Sequence, residues 1–364
     1  MPNPYEQLPE EAFWRSAVAT RSLFQLDRVW DPKFDLRTTD KFVTFGSCFA
    51  QHIGRALSSR GFLWHDAEPA PAQLSAEKAK KYNYGVFSAR TGNIYTTSIL
   101  DQWARWAAGE APPNEFWEGK DGRVIDPFRP AVEPGGFASA DEARMSRDRA
   151  VAAFRSAIVD ADYFIFTLGL TESWRHAREG HEYPMCPGTV AGTFDPDAHA
   201  FVNLGYAEVL SSLQSAMATM TALNPKLRFL LTVSPVPLTA TNSGRHVMVA
   251  TMRSKSILRA VAAELAESRE DVDYFPSYEL INSPVTKAVF YRPNQREVDA
   301  AGVSFVMDCF FNDLKRTFGA DEAIAPVQPI ARKKERAPLA PATAQEPSAA
   351  DLVCEEELLQ AFGR

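Results

Sequence analysis

Residues 42–57 read FVTFGSCFAQHIGRAL, and this stretch decides the fold. The four apolar or β-favouring residues before Gly46 predict a short strand that ends at this glycine. After Ser47, apolar residues recur at helical spacing and predict a helix that Gly61 can end. These apolar residues are Phe49, Ile53, Ala56 and Leu57. The stretch therefore predicts a strand, a sharp turn and a helix in direct succession.

Ser47 allows two interpretations at this turn. A serine directly before a helix is most often an N-cap, whose hydroxyl accepts a hydrogen bond from a backbone N–H. A serine at a sharp strand-to-helix turn can instead be a nucleophile, because the turn exposes its hydroxyl at the edge of the sheet. Gly46 permits such a turn, and the N-terminus of the helix would stabilise a developing oxyanion. The stretch differs from the G-x-S-x-G elbow, since no glycine stands two residues after Ser47.

Strands and helices alternate along the rest of the chain. Apolar runs with little alternation predict strands that are buried on both faces. We predict strands at residues 42–45, 163–168, 227–233 and 272–275. We predict helices at residues 49–57, 99–108, 144–160, 204–223, 253–267 and 297–318. Such alternation predicts an α/β fold, a three-layer α/β/α sandwich in which helices cover both faces of a parallel sheet.

Two long stretches, residues 63–138 and 171–202, do not fit the alternation and read as insertions. Long ordered insertions in α/β proteins often build a binding site. In open parallel sheets that site lies beyond the carboxyl ends of the strands. We therefore expect a site near Ser47, near residues 169–172 and near residues 234–236, each of which follows a predicted strand.

The composition excludes several classes of protein. The net charge of −7 argues against general nucleic-acid binding. No stretch approaches the roughly 20 apolar residues of a membrane span, and the N-terminus lacks the features of a secretory signal. The four cysteines form no C-x-x-C pair, so we interpret them as reduced thiols in a cytoplasmic protein. No phosphate loop or dinucleotide fingerprint is present, and we expect no cofactor.

The chain divides into three parts. We predict an N-terminal extension (residues 1–34), one α/β/α domain (35–318) and an Ala/Pro-rich disordered tail (319–364). The last residues, DLVCEEELLQAF, could form a short amphipathic helix. This helix is either a fraying end or a docking peptide for a partner protein.

Several sequence blocks resemble the GSCFA family, which groups with the SGNH (GDSL-like) hydrolases. They are FGSCFA (45–50), YNYGVFSARTGNIYTTSIL (82–100), FTLGLTESW (166–174), LTVSPVPLTAT (231–241), HVMVATMRSKSILRAV (246–261) and YFPSYELI (274–281). The blocks span roughly residues 40–310. The resemblance implies a flavodoxin-like sandwich and a serine, here Ser47, that attacks ester or acyl carbonyls.

A serine nucleophile needs a base. Relatives carry a D-x-x-H motif near the position of residues 294–297, but this chain has no histidine after His246. His246 follows the strand that ends in LTVSP, at the same edge of the sheet as Ser47, and is our candidate general base. The alternatives are His52 on the first helix and Glu297 as a carboxylate base.

The oxyanion site would need backbone or amide donors. The resemblance implies the N–H groups of Ser47 and of a glycine, for which Gly85 is the candidate. Where such enzymes carry an asparagine, this chain reads LGLTESW, with Thr171 or Glu172 in its place. Glu172 and Asn83 are candidate supporting residues. An ionised Glu172 would repel an oxyanion unless it is protonated, turned aside or paired with the base.

Two functions from different classes remain open. The first is a serine-dependent hydrolase or acyltransferase acting on small-molecule or glycan acyl esters, such as O-acylated sugars or polysaccharide precursors. The second is a non-catalytic glycan- or protein-binding protein on a degenerate SGNH fold. We expect no metal, because the spacing of His176, His181 and Cys186 matches no compact zinc motif.

Overall fold

The computed structural model describes residues 3–319 and 354–363. The strands in these residues are β1 (Lys41–Gly46), β2 (Leu63–Trp64), β3 (Trp117–Glu118), β4 (Val124–Ile125), β5 (Tyr163–Leu168), β6 (Glu172–His176), β7 (Glu182–Tyr183), β8 (His199–Asn203), β9 (Arg228–Val233) and β10 (Val272–Tyr274). The α-helices are α1 (Ala50–Ser59), α2 (Ala76–Lys81), α3 (Thr97–Ala107), α4 (Ala140–Asp160), α5 (Tyr206–Leu223), α6 (Val247–Ser268), α7 (Ser277–Asn282) and α8 (Ala300–Phe318).

Five strands form a central parallel sheet in the order β10–β9–β5–β1–β2. Side chains alternate between its two faces, as the pleat requires. Phe164 and Phe166 of β5 pack on the face covered by α3, α4, α5 and α6. Tyr163 and Ile165 pack on the face covered by α1, α7 and α8. The predicted three-layer α/β/α sandwich is therefore confirmed.

The four predicted sheet strands are all present, whereas the short edge strand β2 was not predicted. Two residues, Leu63 and Trp64, carry too little pattern to distinguish a strand from a loop. Helix α6 begins six residues before the predicted start, because His246 caps it at Val247. Helix α8 begins three residues after its predicted start, since Asp299 is its N-cap and accepts a hydrogen bond from Gly302 N–H at 2.7 Å.

The two insertions contain structure of their own. The first contributes α2, α3 and the antiparallel pair β3–β4. The second folds into a three-stranded antiparallel sheet in the order β7–β6–β8. Its register pairs Glu172 with Asn203 at the end next to the central sheet. Antiparallel pairing joins β6 to both β7 and β8, and the sequence pattern did not predict these three strands.

A buried ion cluster fixes the first insertion to α4. Asp126 accepts from Arg129 Nε at 2.8 Å and from Arg147 Nη2 at 2.8 Å, and all three side chains are buried. Burial raises the pKa of Asp126, but the two guanidinium groups outweigh burial and the pKa is lowered. Arg129 also donates to the Arg90 carbonyl oxygen at 3.1 Å, so the cluster reaches the loop before α3.

Both ends of the chain, as far as they are described, pack against the domain. Trp30, in the predicted N-terminal extension, is buried and stacks on Phe310 of α8. The segment Glu355–Phe362 forms a 3₁₀-helix in which Glu355 and Glu356 are buried. The predicted disorder of the tail falls mainly on residues 320–353, outside the described residues. Within residues 3–319 and 354–363, no helix combines the length and apolar character that a membrane crossing requires.

We predict that Asp126→Ala lowers the free energy of unfolding by about 3–5 kcal/mol, because it leaves two buried guanidinium groups without a counter-ion. Equilibrium urea unfolding followed by circular dichroism measures this loss. Asp141→Ala is the matched control, since Asp141 pairs with Arg144 at the exposed surface of α4 and should matter much less. Equal, small losses in the two variants would contradict the proposed role of the cluster.

Candidate active site

The turn between β1 and α1 is pressed against the end of β5. Gly46 has φ +127°, and a Cβ at this position would overlap the Thr167 carbonyl oxygen. Gly169 is equally constrained, because a Cβ there would lie 2.9 Å from Ser47 Cβ. Ser47 N–H donates to the Thr167 carbonyl at 3.0 Å. Two glycines thus let the chain bring Ser47 against the strand that neighbours β1.

This turn lies at the point where the strand order of the sheet reverses. From β1 the chain passes to β2, which lies on one side of β1. The next strand of this sheet along the chain, β5, lies on the other side of β1. In open α/β sheets, ligands bind outside the carboxyl ends of the strands at such a switch point. Ser47 and Gly169 directly follow this part of β1 and β5, as the sequence predicted.

The Ser47 hydroxyl is buried, with 3% of the residue exposed, and makes no hydrogen bond to any described residue. It therefore does not cap α1, whose N-cap position is Phe49 without a side-chain hydrogen bond. Hydroxyl groups that are buried in this way usually have a partner. A buried hydroxyl without a partner at a switch point is therefore the candidate reactive group of this corner.

His246 does not hydrogen-bond Ser47 in this structure. Its side chain is exposed, and its Nδ1 accepts a hydrogen bond from Met248 N–H at 3.2 Å as the N-cap of α6. The pairing of Ser47 with His246 therefore stays a prediction. His52, the second histidine considered, is partly exposed on α1, and desolvation of its ring lowers its pKa to about 4.

The predicted oxyanion donors are placed differently from expectation. Ser47 N–H is already bonded to Thr167, as described above. Gly85 lies in the turn after α2. A Cβ at Gly85 would have no atom within 4 Å, so Ser47 does not pack against this side of the glycine. Asn83 Nδ2 donates to the Ala131 carbonyl at 3.1 Å and fixes the first insertion. By contrast, Cys48 N–H donates to no described residue and is the free donor next to Ser47.

Glu172 is turned toward donors at the end of β8 and in the loop after β9. Its Oε1 accepts from Thr241 Oγ1 at 2.8 Å and from Asn203 Nδ2 at 3.2 Å. Burial raises its pKa, although the Thr241 hydroxyl acts in the opposite direction. Within the described part of the chain, no histidine is a hydrogen-bond partner of Glu172, so the pairing with a base does not occur here.

Lys255, which the sequence analysis missed, is buried at the same corner. Its Nζ donates to the Gly169 carbonyl at 2.7 Å, and only 1% of the residue is exposed. Burial lowers its pKa to about 8, although Glu356 and Cys48 act in the opposite direction. The available signal was its position on the apolar stripe of α6, in register with Leu258, Ala262 and Leu265.

Arg296 was missed as well. It lies in the segment where the family resemblance predicted a histidine base, and it is 8% exposed. Its guanidinium donates to Glu356 at 3.1 Å and lies 3.9 Å from Cys354 Sγ. A guanidinium stays protonated and cannot act as a general base. The side chain at this position therefore supplies charge instead of accepting a proton.

The C-terminal 3₁₀-helix brings acidic and thiol groups to the corner. Glu355 accepts from Asn93 Nδ2 and from Tyr95 Oη, and Cys354 Sγ lies 3.8 Å from Tyr95 Oη. The Cys354 thiol and burial raise the pKa of the Cys48 thiol. The sequence could not place this segment, because the acidic residues carry no information about which surface they contact.

A cavity of about 280 Å³ opens beside these groups. Its walls come from β6, from the loop after β9 and from the C-terminal helix. Trp174 and Phe201 supply aromatic walls, and Glu172 and Glu356 supply carboxylates. Such a mixture of apolar walls and few polar groups is typical of a small-molecule site.

The possible metal ligands considered in the sequence, His176, His181 and Cys186, form hydrogen bonds to other groups. His181 Nε2 bonds to Glu115 at 2.8 Å and to Tyr183 Oη at 2.9 Å. Cys186 Sγ donates to the Pro187 carbonyl oxygen at 3.5 Å. Across the described ranges, no group of three or more His, Cys, Asp or Glu side chains is arranged to hold a metal ion.

Comparison with known proteins gives a family. The GSCFA family model matches residues 41–310. A solved structure from Streptococcus pneumonia, whose description names platelet activating factor, is 13% identical with a TM-score of 0.27. The match covers 47% of this chain and 65% of that chain, so this chain spans slightly less than two thirds of that structure. A comparison with curated proteins finds no match. Because the family model covers most of the chain, the protein belongs to the GSCFA family.

Proposed function

We propose that this protein is a serine-dependent hydrolase or acyltransferase of the SGNH type, which acts on acyl esters with Ser47 as the nucleophile. The observation that carries the proposal is the buried Ser47 hydroxyl without a partner among the described residues, at the switch point of the sheet. Acyl esters of sugars or of polysaccharide precursors are the substrate class that analogy with related folds favours.

In this mechanism Ser47 Oγ attacks the acyl carbonyl carbon and forms a tetrahedral oxyanion. Cys48 N–H stabilises that oxyanion, since it follows the nucleophile at the start of α1 and has no other described acceptor. The proton of Ser47 passes to His246 if the loop before α6 moves inward, and from there to the leaving alcohol. The acyl group on Ser47 then passes to water or to another alcohol.

Lys255 supplies positive charge to this corner. Its ammonium is bound to the Gly169 carbonyl, and Gly169 is packed against Ser47. A buried cation favours the negative charge that develops on the serine and on the substrate oxygen. Lys255 makes no hydrogen bond to Ser47. It acts through the electrostatic field of its ammonium group and is therefore a positioning residue.

The second candidate function is binding without catalysis. Two observations favour it. Among the described residues, no imidazole is hydrogen-bonded to Ser47, and Arg296 lies in the segment where a base was predicted. In that case the protein would hold a glycan or a protein partner at the same corner. The labelling experiment below separates the two functions.

We predict that a fluorophosphonate probe labels Ser47 covalently and that Ser47→Ala abolishes the labelling. Intact-mass measurement and peptide mapping locate the adduct. Ser234→Ala is the matched control, since Ser234 is also buried directly after a sheet strand but accepts from Val236 N–H at 3.2 Å. His246→Ala should reduce labelling by about a hundredfold or more if His246 is the base.

The labelling is repeated on the full chain with Glu355→Gln and Glu356→Gln, so that the C-terminal helix cannot hide a reactive serine. Absence of an adduct in both folded proteins would contradict the hydrolase proposal and favour the binding function. An adduct at Ser47 that His246→Ala leaves unchanged would keep the nucleophile and remove His246 as its base.

We predict a pH-dependent effect of Lys255→Met on the labelling rate. The pKa of Lys255 is lowered to about 8, so the ammonium predominates below this pH and is lost as the pH rises through it. The ratio of the wild-type rate to the Lys255→Met rate should therefore be largest near pH 7 and approach one above pH about 9. A ratio that grows with rising pH would instead identify Lys255 as a base. Thermal unfolding of both proteins controls for folding.

A further inference from the structure

Two buried cations lie at the Ser47 corner without a counter-ion from the main body of the chain. Lys255 is 1% exposed and donates to a carbonyl, and Arg296 is 8% exposed. Within residues 3–319, neither side chain forms an ion pair with a carboxylate. Burial of unpaired charge is unfavourable, so this corner has a requirement for an anion.

Glu356 meets this requirement through both of its carboxylate oxygens. Arg296 Nη2 lies 3.1 Å from Oε2, and Thr239 N–H donates to Oε1 at 2.8 Å. Glu356 itself is 6% exposed. A guanidinium on one oxygen and a backbone N–H on the other make a carboxylate site of defined geometry.

Glu355 occupies a second, neutral carboxylate site. Tyr95 Oη donates to Oε2 at 3.0 Å, and Asn93 Nδ2 donates to the same oxygen. A Cβ on Gly92 would lie 3.3 Å from Oε1, so glycine leaves room for the carboxylate. Gly92, Asn93 and Tyr95 all belong to the TGNIY stretch (residues 91–95) of the first insertion. This stretch also contacts the turn that contains Ser47, because Ile94 N–H donates to the Gly46 carbonyl at 2.9 Å.

An apolar part follows the two carboxylates. Leu359 and Phe362 of the 3₁₀-helix line the 280 Å³ cavity together with Trp174 and Phe201. The occupant of the corner therefore has two neighbouring carboxylates and an apolar extension. Apart from Glu356, Leu359 and Phe362 of the segment itself, the residues that line this cavity belong to residues 3–319.

We propose that this corner is a binding site for ligands that carry carboxylate groups beside an apolar part, and that the segment Glu355–Phe362 is its intramolecular competitor. The identification of such a ligand as a substrate, an acyl ester with a free carboxylate, rests on the proposed function. The carboxylate site itself does not. Because the competitor is part of the same chain, its effective concentration is high and the wild-type site is largely filled.

A binding experiment tests the site directly. The probe is a fluorescein-labelled peptide with the sequence of residues 351–364, used under reducing conditions, and binding is followed by fluorescence anisotropy. The receptor is the full chain with Glu355→Gln and Glu356→Gln, in which the competitor has lost its two buried carboxylates but kept its shape. The exposed Glu357 is kept in this receptor, and it pairs with Arg296 Nη1 at 3.3 Å. We expect this receptor to bind the peptide at least about tenfold more tightly than the wild type does.

One altered peptide and three variants of the receptor define the site. The same peptide with glutamine at the two positions should not bind the receptor. Arg296→Met in the receptor should abolish binding, whereas Arg292→Gln, which removes a neighbouring cation paired with Glu297, should not. Thermal unfolding shows whether Arg296→Met is folded, and Thr239→Pro, which removes one backbone donor to Glu356, provides a second route. Equal binding of the charged and neutral peptides would overturn the proposal.

An ester pair tests whether the ligand is a substrate. The receptor is assayed with 4-nitrophenyl hydrogen succinate and with 4-nitrophenyl acetate, which differ in the free carboxylate. We expect a preference for the succinate ester of about tenfold or more that Arg296→Met removes. Equal rates for both esters would overturn the substrate class while supporting the hydrolase. Peptide binding as expected, with neither ester cleaved, would support the carboxylate site and contradict the proposed function.

Discussion

The close contact between the β1–α1 turn and the end of β5 constrains the rest of this structure. Gly46 and Gly169 have no side chain at the two places where a Cβ would collide with Thr167 or Ser47. Any larger residue at Gly46 would also be strained by its φ of +127°. This contact presses Ser47 against the carboxyl ends of the two middle strands, and every other group of the site is arranged around that position.

The sheet makes this arrangement rigid because both of its faces are buried. The alternating aromatic residues of β1 and β5 are shared between two hydrophobic cores, so a shift of register would move each ring to the wrong face. The insertions are then anchored to this frame by polar contacts. The cluster around Asp126 holds the first insertion, and the antiparallel sheet containing β6 holds the second.

Charge distinguishes this corner from a plain serine hydrolase site. Lys255 and Arg296 are buried together, and an arginine stands in the segment where a base was predicted. Two buried cations at one corner favour the binding of an anion. Glu356 and Glu357 of the C-terminal helix pair with Arg296 and show how the protein satisfies this cation when no other anion is bound. The two proposed functions, catalysis and binding, would use the same electrostatic arrangement, but only catalysis requires a reactive Ser47 hydroxyl.

The sequence by itself determined the layers of the fold and the position of Ser47. Periodic apolar runs report directly on burial, and a glycine–serine pair between a strand and a helix leaves few conformations for the turn. The short strands β2 to β4 and the antiparallel sheet of the second insertion escaped prediction, since two to five residues carry too little pattern. Only the tertiary structure decided which groups surround the serine. Four different segments of the chain converge on the same end of the sheet. They bring together residues that are far apart in the sequence, namely Asn93, Lys255, Arg296 and Glu356.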